Sequence, residues 1–294
     1  MLVAHHGVAV DVRLQSGALR VVKVRRRSGH VVGDRVEVLG ERLVRLERDN
    51  ELRRRDAMGR VRVVSANLDV LGIVVSPVPA SPAGFLDRAL ISARAAGIRP
   101  FVILNKMDLP GAEALLTKLR ATFIEGPGGI ALDIFTLSAK TGHGVEALRA
   151  FFAREGGCRG AFVGTSGVGK SSILNTILPE LDLPVGEINR DSGLGRHTTT
   201  TATLHSLPEG GELIDTPGFR EFGLVDLDVR ELALHFPGFS ELLVTEHCRF
   251  SDCRHMVEPD CVILAAVADG KFAPARWARY RDLFNEVELD QPRH

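Results

Sequence analysis

The sequence predicts a multidomain protein: an N-terminal β-barrel of the OB-fold type, a central α/β phosphate-loop domain and a C-terminal, mostly helical zinc-binding domain. Three observations carry this prediction. A complete G-x-x-x-x-G-K-S loop lies between an apolar strand and an amphipathic helix at residues 164–171. Short alternating strands broken by turn residues fill the first 65 positions. Three cysteines and a histidine crowd residues 248–261. The expected domains are 1–65, 66–225 and 226–294.

With 294 residues the chain is long enough for two or three domains, and its 45% hydrophobic and 25% charged content is that of a soluble globular protein. No apolar run approaches the roughly 18 residues of a membrane span. Met1 to His6 lack the charged start and apolar core of a secretory signal, so a cytoplasmic place away from membranes is expected. A formal net charge of zero argues against indiscriminate nucleic-acid binding, yet the charge is uneven. Residues 1–62 carry 15 Lys/Arg against 8 Asp/Glu, a formal +7 that the remainder balances.

The barrel comes first. Gly7–Val12, Ala18–Val24, Val36–Leu39, Leu43–Leu46 and Val61–Val64 read as about five strands separated by turn signals. Arg25-Arg26-Arg27 and Arg53-Arg54-Arg55 fall at strand ends or loops, where such a barrel meets an oligonucleotide. The aromatic residues on which single-stranded bases stack are missing, so phosphate and shape contacts to RNA are expected rather than base reading.

The central region alternates strand and helix. Leu68–Val75 is a buried-type strand, Phe85–Ala96 a helix, Arg99–Leu104 a strand, Ala112–Phe123 a helix and Asp133–Leu137 a strand. The helix Val145–Phe152 then leads to the strand Arg159–Val163. Such alternation implies a mostly parallel sheet with ligand loops at the carboxyl ends of its strands. In Gly164-Thr165-Ser166-Gly167-Val168-Gly169-Lys170-Ser171, followed by Ser172, backbone N–H groups can wrap a polyphosphate that a Cβ would obstruct. The helix that follows turns its unsatisfied N–H groups toward the same anion. Lys170 reaches the terminal phosphates, and the Ser171 hydroxyl binds Mg2+.

Asn105-Lys106-x-Asp108 ends one strand and Ser138-Ala139-Lys140 ends the next. The Asp108 carboxylate can accept from guanine N1–H and N2–H2, donors that adenine lacks, and a wrong base leaves it desolvated and unpaired. Asn105 and Lys106 brace the loop, and the Ala139 N–H is expected to meet guanine O6. The nucleotide is therefore GTP. Asp215-Thr216-Pro217-Gly218 adds a carboxylate for Mg2+ through water and the Gly218 N–H for the γ-phosphate. Upstream, Gly195-Arg196-His197-Thr198-Thr199-Thr200 can deliver a hydroxyl to the same Mg2+, with Thr198 favoured and Thr199 its competitor.

Small GTPases order these motifs as phosphate loop, switch threonine, D-x-x-G, N-K-x-D and S-A-K. Here the last two come first, a circular permutation that still lets every loop leave one edge of the sheet. Beyond it, Cys248-x4-Cys253-x-His255-x5-Cys261 offers three thiolates and one imidazole, a closed tetrahedral set for one structural Zn2+, with His247 the rival ligand. Cys158 stands apart and reads as a small buried hydrophobe. The last helix starts at Pro274 and carries Trp277, Tyr280 and Phe284 on one face, read as packing on the zinc domain, with Arg276, Arg279 and Arg281 around them.

With the permuted order, the G-R-H-T-T-T loop and the basic barrel, the sequence resembles the RsgA/YjeQ family of ribosome small-subunit-dependent GTPases over nearly its whole length. The resemblance implies an OB-fold, a permuted GTPase domain and a zinc domain whose spacing matches the family motif. It implies GTP hydrolysis in late maturation of the small ribosomal subunit. The implied partners are that subunit with its rRNA, and GTP or GDP; the chain is expected to act as a monomer. Where many GTPases place a water-orienting glutamine after D-x-x-G, this chain has Phe219, and the family too is hydrophobic there. Slow intrinsic turnover stimulated by the subunit is therefore expected. His197 is the candidate to position water; a switch-loop residue that touches RNA or caps a helix is the competing reading. The competing function is an RNA-binding assembly scaffold in which GTP is a structural ligand.

Overall fold

The computed structural model describes residues 1–56, 58–154, 157–181, 202–215 and 223–290. Seven strands fill the N-terminal region: β1 (Leu2–His5), β2 (Ala9–Arg13), β3 (Leu19–Lys23), β4 (Val36–Leu39), β5 (Arg42–Arg45), β6 (Glu51–Arg55) and β7 (Val61–Ala66). Then come β8 (Val70–Val75), α1 (Phe85–Ala95), β9 (Arg99–Leu104), α2 (Ala112–Phe123), β10 (Ile134–Thr136), α3 (Val145–Phe152) and β11 (Arg159–Val163). α4 (Lys170–Ile177), β12 (Thr203–Ser206) and β13 (Glu212–Asp215) complete the central region. The C-terminal part is helical, with α5 (Leu232–His235), α6 (Phe239–Leu243), α7 (Val262–Ala268) and α8 (Pro274–Asp290).

One nine-stranded sheet runs β10-β9-β8-β11-β13-β12-β1-β2-β3. The first five strands in this order are mutually parallel, so their carboxyl ends open on one edge. β8 is buried at every position because helices cover both of its faces. Its alternate residues divide accordingly. Leu71, Ile73 and Val75 pack with Leu90 of α1 and Phe123 of α2, whereas Val70 and Val74 pack with Leu148 of α3 and Ile173 of α4.

Two features of the N-terminal region differ from the sequence reading. Seven strands form instead of about five, because Leu2–His5 and Glu51–Arg55 were not recognised as strands. β1 sits between β12 and β2, with Ala4 opposite Thr203, so the first strands continue the central sheet. Leu2, Val10, Val22 and Leu52 share one apolar core with Leu71 and Ile73. The Arg53–Arg55 triplet forms the carboxyl end of β6, as expected, beside the buried Leu52, and Arg25–Arg27 lies in the loop after β3. The strand path turns back through residues 32–34: Gly33 N donates to Leu2 O (3.0 Å) and Ala66 N to Val32 O (3.1 Å).

Buried polar groups fix this path. Asp34 is fully buried and accepts from Arg48 Nε (2.6 Å), Arg48 Nη2 (3.0 Å) and Val31 N (2.8 Å); Arg48 also donates to Glu51 (2.7 Å). Asn67 Nδ2 donates to Gly33 O (2.8 Å), and Asn50 brackets Leu68 from both sides of its peptide at 2.7 and 2.8 Å.

The C-terminal part has a separate core of Phe236, Phe239, Phe272, Tyr280 and Phe284, among others, joined from the central region by Ile91 of α1. Tyr280 and Phe284 face this core, as the aromatic stripe predicts. Arg276, read as one of the arginines around that stripe, is instead buried. Its Nε donates to Pro237 O (3.0 Å), its Nη1 to Thr122 O (2.5 Å), and the guanidinium lies 5.4 Å from the centre of the Phe123 ring.

Removing one partner of a buried ion pair leaves the other charge desolvated. Asp34→Ala should therefore destabilise the protein by about 3 kcal/mol, seen as a clear fall in Tm. A loss below about 1 kcal/mol would show that the pair behaves as a surface one.

Candidate functional site

The phosphate loop follows β11 and opens α4. Val168 is fully buried and pins the loop to the core. Gly169 caps the helix at φ 99°, and a Cβ there would lie 2.3 Å from Asn105 Nδ2, so only glycine fits. Lys170 Nζ donates to Gly164 O (2.6 Å) and Thr165 O (3.0 Å). Gly164 is buried against β8, while Ser166, Gly167 and Ser171 are exposed at the sheet edge.

The loop after β9 reaches this one directly. Asn105 is 1% exposed; its Nδ2 donates to Val168 O (2.9 Å), and its Oδ1 accepts from Ala139 N (3.1 Å). Lys106 Nζ donates to Gly167 O and Val78 O, both at 2.7 Å, from a backbone held at φ 65°. Such a non-glycine conformation is sparsely populated and clusters at ligand-binding loops. The Ser138 hydroxyl donates to Asp108 Oδ1 (2.6 Å), and this bond holds the Asp108 carboxyl below its ordinary pKa. Three segments far apart in the chain thus share one edge. The Ala139 N–H differs from expectation in being directed at Asn105.

Beside them is a cavity of about 470 Å³, lined by Asn105, Lys106, Asp108, Lys140, Ser172 and Thr176, with Asn175 also on its wall. Asn175 and Thr176 were missed in the sequence. Their signal was spacing, since positions 172, 175 and 176 share one side of a helix. The Thr176 hydroxyl reaches Ala139 O (3.0 Å), tying α4 to the S-A-K loop. Asp215 ends β13 next to Lys170; burial raises its pKa, and the Lys170 charge opposes that rise. His197, Thr198, Thr199, Gly218 and Phe219 lie outside the described residues.

The second site is in the C-terminal part. The ligand atoms of Cys248, Cys253, His255 and Cys261 lie within 4.8 Å of one another. Four donors around Zn2+ at about 2.3 Å to sulfur sit about 3.8 Å apart at tetrahedral angles. Cys248 Sγ is 3.9 Å from Cys261 Sγ, and His255 Nδ1 is 3.5 Å and 3.4 Å from those two sulfurs. The set therefore fits one Zn2+ with no position left open, and His247 is not part of it. Burial pushes the Cys253 thiol up to about 12, so a metal must displace its proton to bind. Trp277 Nε1 donates to His255 O (2.9 Å) and the Tyr280 hydroxyl to Arg254 O (3.1 Å), so α8 orients the ligand loop.

A mixed sheet whose parallel part carries a phosphate loop on the interior strand β11, with N-K-x-D and S-A-K at the ends of strands that precede it in the chain, defines a circularly permuted phosphate-loop GTPase. A family model described as RsgA GTPase matches residues 45–225. The chain is 38% identical to the small ribosomal subunit biogenesis GTPase RsgA of Pseudomonas syringae pv. syringae (strain B728a), covering 99% of this chain and 86% of that protein. It is 40% identical to the protein of that name from Azotobacter vinelandii (strain DJ / ATCC BAA-1303), covering 100% of this chain and 86% of the relative. Among solved structures, YjeQ from Thermotoga maritima superposes with a TM-score of 0.75 at 30% identity, covering 99% of this chain and 98% of that one. YloQ, described as a circularly permuted GTPase, gives a TM-score of 0.70 at 26% identity, covering 100% and 96%. The chain belongs to the RsgA GTPase family.

Metal analysis should find one zinc per chain, and Cys261→Ser should remove it. Loss of the metal should speed amide exchange across α7 and α8, because a closed site of this kind contributes on the order of 10 kcal/mol to folding its module. Unchanged exchange in metal-free protein would show that the helices hold the loop without zinc.

Proposed function

We propose that this protein is a GTP hydrolase acting in late maturation of the small ribosomal subunit, with slow intrinsic turnover that the subunit stimulates. Family membership supports the reaction and the subunit; the observation that carries the nucleotide assignment is the pair of hydrogen bonds made by the Asn105 side chain. One buried side chain joins the phosphate loop at Val168 to the S-A-K loop at Ala139, while Lys106 holds Gly167. Bonds of this kind support the reading of a phosphate cradle and a base-reading carboxylate that work at one sheet edge.

The proposed roles follow from the chemistry of each group. Gly164 to Ser172 cradle the phosphates, Lys170 neutralises charge that develops on the terminal ones, and the Ser171 and Thr198 hydroxyls bind Mg2+. Asp215, beside Lys170, is a hard-oxygen donor suited to a Mg2+-bound water, and Gly218 is assigned to the γ-phosphate. Asp108 reads guanine as an ionised acceptor, a state favoured by the Ser138 hydroxyl. Asn105, Lys106, Ala139 and Lys140 form the frame of the base pocket. His197 is assigned to positioning the attacking water. We assign residues 1–65 to an OB-fold that contacts rRNA, 66–225 to the permuted GTPase domain and 226–294 to the zinc domain, in a chain acting as a monomer in the cytoplasm. Among the described residues no helix is long and apolar enough to cross a membrane.

GTP turnover should rise on addition of purified small ribosomal subunits and stay low in Lys170→Ala under both conditions. Turnover indifferent to the subunit would contradict the proposed role. His197→Ala should lose most of the stimulation in a single-turnover assay. Asp108→Asn should weaken GTP by at least about tenfold, the loss of a charge-assisted bond pair, and gain affinity for xanthosine triphosphate. Unchanged GTP affinity would remove Asp108 from base recognition.

A further inference from the structure

Two arginines of the second triplet are already paired, Arg53 in part with Glu51 of its own strand (2.8 Å). Arg53 and Arg55, two apart on β6 and therefore on one face, each reach a carboxylate of the C-terminal part. Arg53 Nη1 meets Asp226 Oδ2 at 3.1 Å, and Arg55 Nη2 meets Asp290 Oδ2 at 2.5 Å. Asp290 is the last residue of α8, and Asp226 stands in the left-handed region at φ 54°, in the stretch that enters the C-terminal core.

Apolar packing does not explain these contacts. The N-terminal strands share their core with the central sheet, whereas the C-terminal core draws no residue from them among the described residues. Between the two lies a cleft of about 360 Å³ lined by Arg48, Glu51, Arg53, Ser92, Asp226 and Glu231. Among the described residues the two ion pairs are the hydrogen-bonded links between residues 1–66 and 223–290. The C-terminal part is otherwise held by α1, through Arg88–Glu286 (2.5 Å), Arg94–Glu241 (2.8 Å) and Arg279–Asp87 (3.3 Å), and by the buried Arg276 on Thr122 O of α2.

We propose that Arg53 and Arg55 form an RNA-phosphate contact that the C-terminal part holds shut, Asp226 and Asp290 standing where phosphate oxygens bind. This rests on the reading of residues 1–65 as RNA-contacting. A guanidinium presents the same fork to carboxylate and to phosphate, so the two anions compete for one position. The competition is balanced by the exposure of the pairs. All four side chains are 39–53% exposed, the range in which an ion pair is worth little and yields readily. RNA phosphates bring counterion release that the carboxylates do not. Binding of RNA along β6 therefore frees the end of α8 and the Asp226 turn from that strand, while α1 keeps its hold on the C-terminal part. The arginines are a gated surface, and the gate is made of the protein's own acids.

The test uses full-length, zinc-loaded protein and anisotropy of a labelled oligouridylate at fixed ionic strength. Asp226→Asn/Asp290→Asn is compared with Glu113→Gln/Glu125→Gln, which makes the same change in charge on and just after α2. The first variant should bind about fivefold tighter than the second, the sum of two exposed pairs released. Arg53→Gln/Arg55→Gln should bind more weakly than wild type, and oligouridylate should speed amide exchange at the end of α8 in wild type. Weaker binding by the arginine variant, with Asp226→Asn/Asp290→Asn no tighter than its control, overturns the gate and leaves the RNA contact standing. No oligouridylate binding by either wild type or the aspartate variant overturns both.

Discussion

The architecture depends on the side-chain amide of Asn105. Its two hydrogen bonds, to Val168 O and from Ala139 N, are made where the residue is almost wholly buried, so each unmade bond would leave a polar group without water. The amide can serve both loops only if β9, β10 and β11 run parallel and open on the same edge, as they do. Glycine at 169 follows from this, because the same amide fills the space a Cβ would need. The permutation is tolerated for the same reason. Side-chain bonds across the edge, rather than chain order, hold the loops together.

Around that edge the three parts are joined in different ways. The N-terminal strands are fused to the central sheet through a common apolar core and the β1–β12 pairing. The C-terminal part keeps a core of its own and meets the centre through Ile91, the buried Arg276 and ion pairs along α1. Apolar fusion resists sliding because a close-packed core has few alternative arrangements. Polar docking on exposed groups does not, and local opening is drawn from such regions. The zinc-ligand loop lies on the polar-docked side, steadied by Trp277 and Tyr280 of α8.

Much of this was legible in the sequence. The helices Ala112–Phe123 and Val145–Phe152 were read with their observed limits, because each follows a glycine and carries an apolar stripe. The phosphate loop, the two base-loop motifs and the Cys3His group announce themselves by spacing, and spacing survives without tertiary information. β6 did not, since Glu-Leu-Arg-Arg-Arg offers a single core residue and its pairing with β7 is what makes it a strand. The place of β1 inside the central sheet was hidden because one of its two partners, β12, is distant in sequence, with Ala4 opposite Thr203. The burial of Arg276 was not legible because its acceptors, Thr122 O at the end of α2 and Pro237 O before α6, are distant in sequence. Charge on a basic segment was visible, but not which arginines were already paired. The switch residues around Thr198 and Gly218 stand on the motif alone.

The most direct test is amide exchange measured with and without GDP and Mg2+. If one guanine nucleotide engages all three loops, residues 105–108, 138–141 and 164–171 gain protection together at the same nucleotide concentration. Protection confined to 164–171, with the other two segments unchanged, would contradict a shared site.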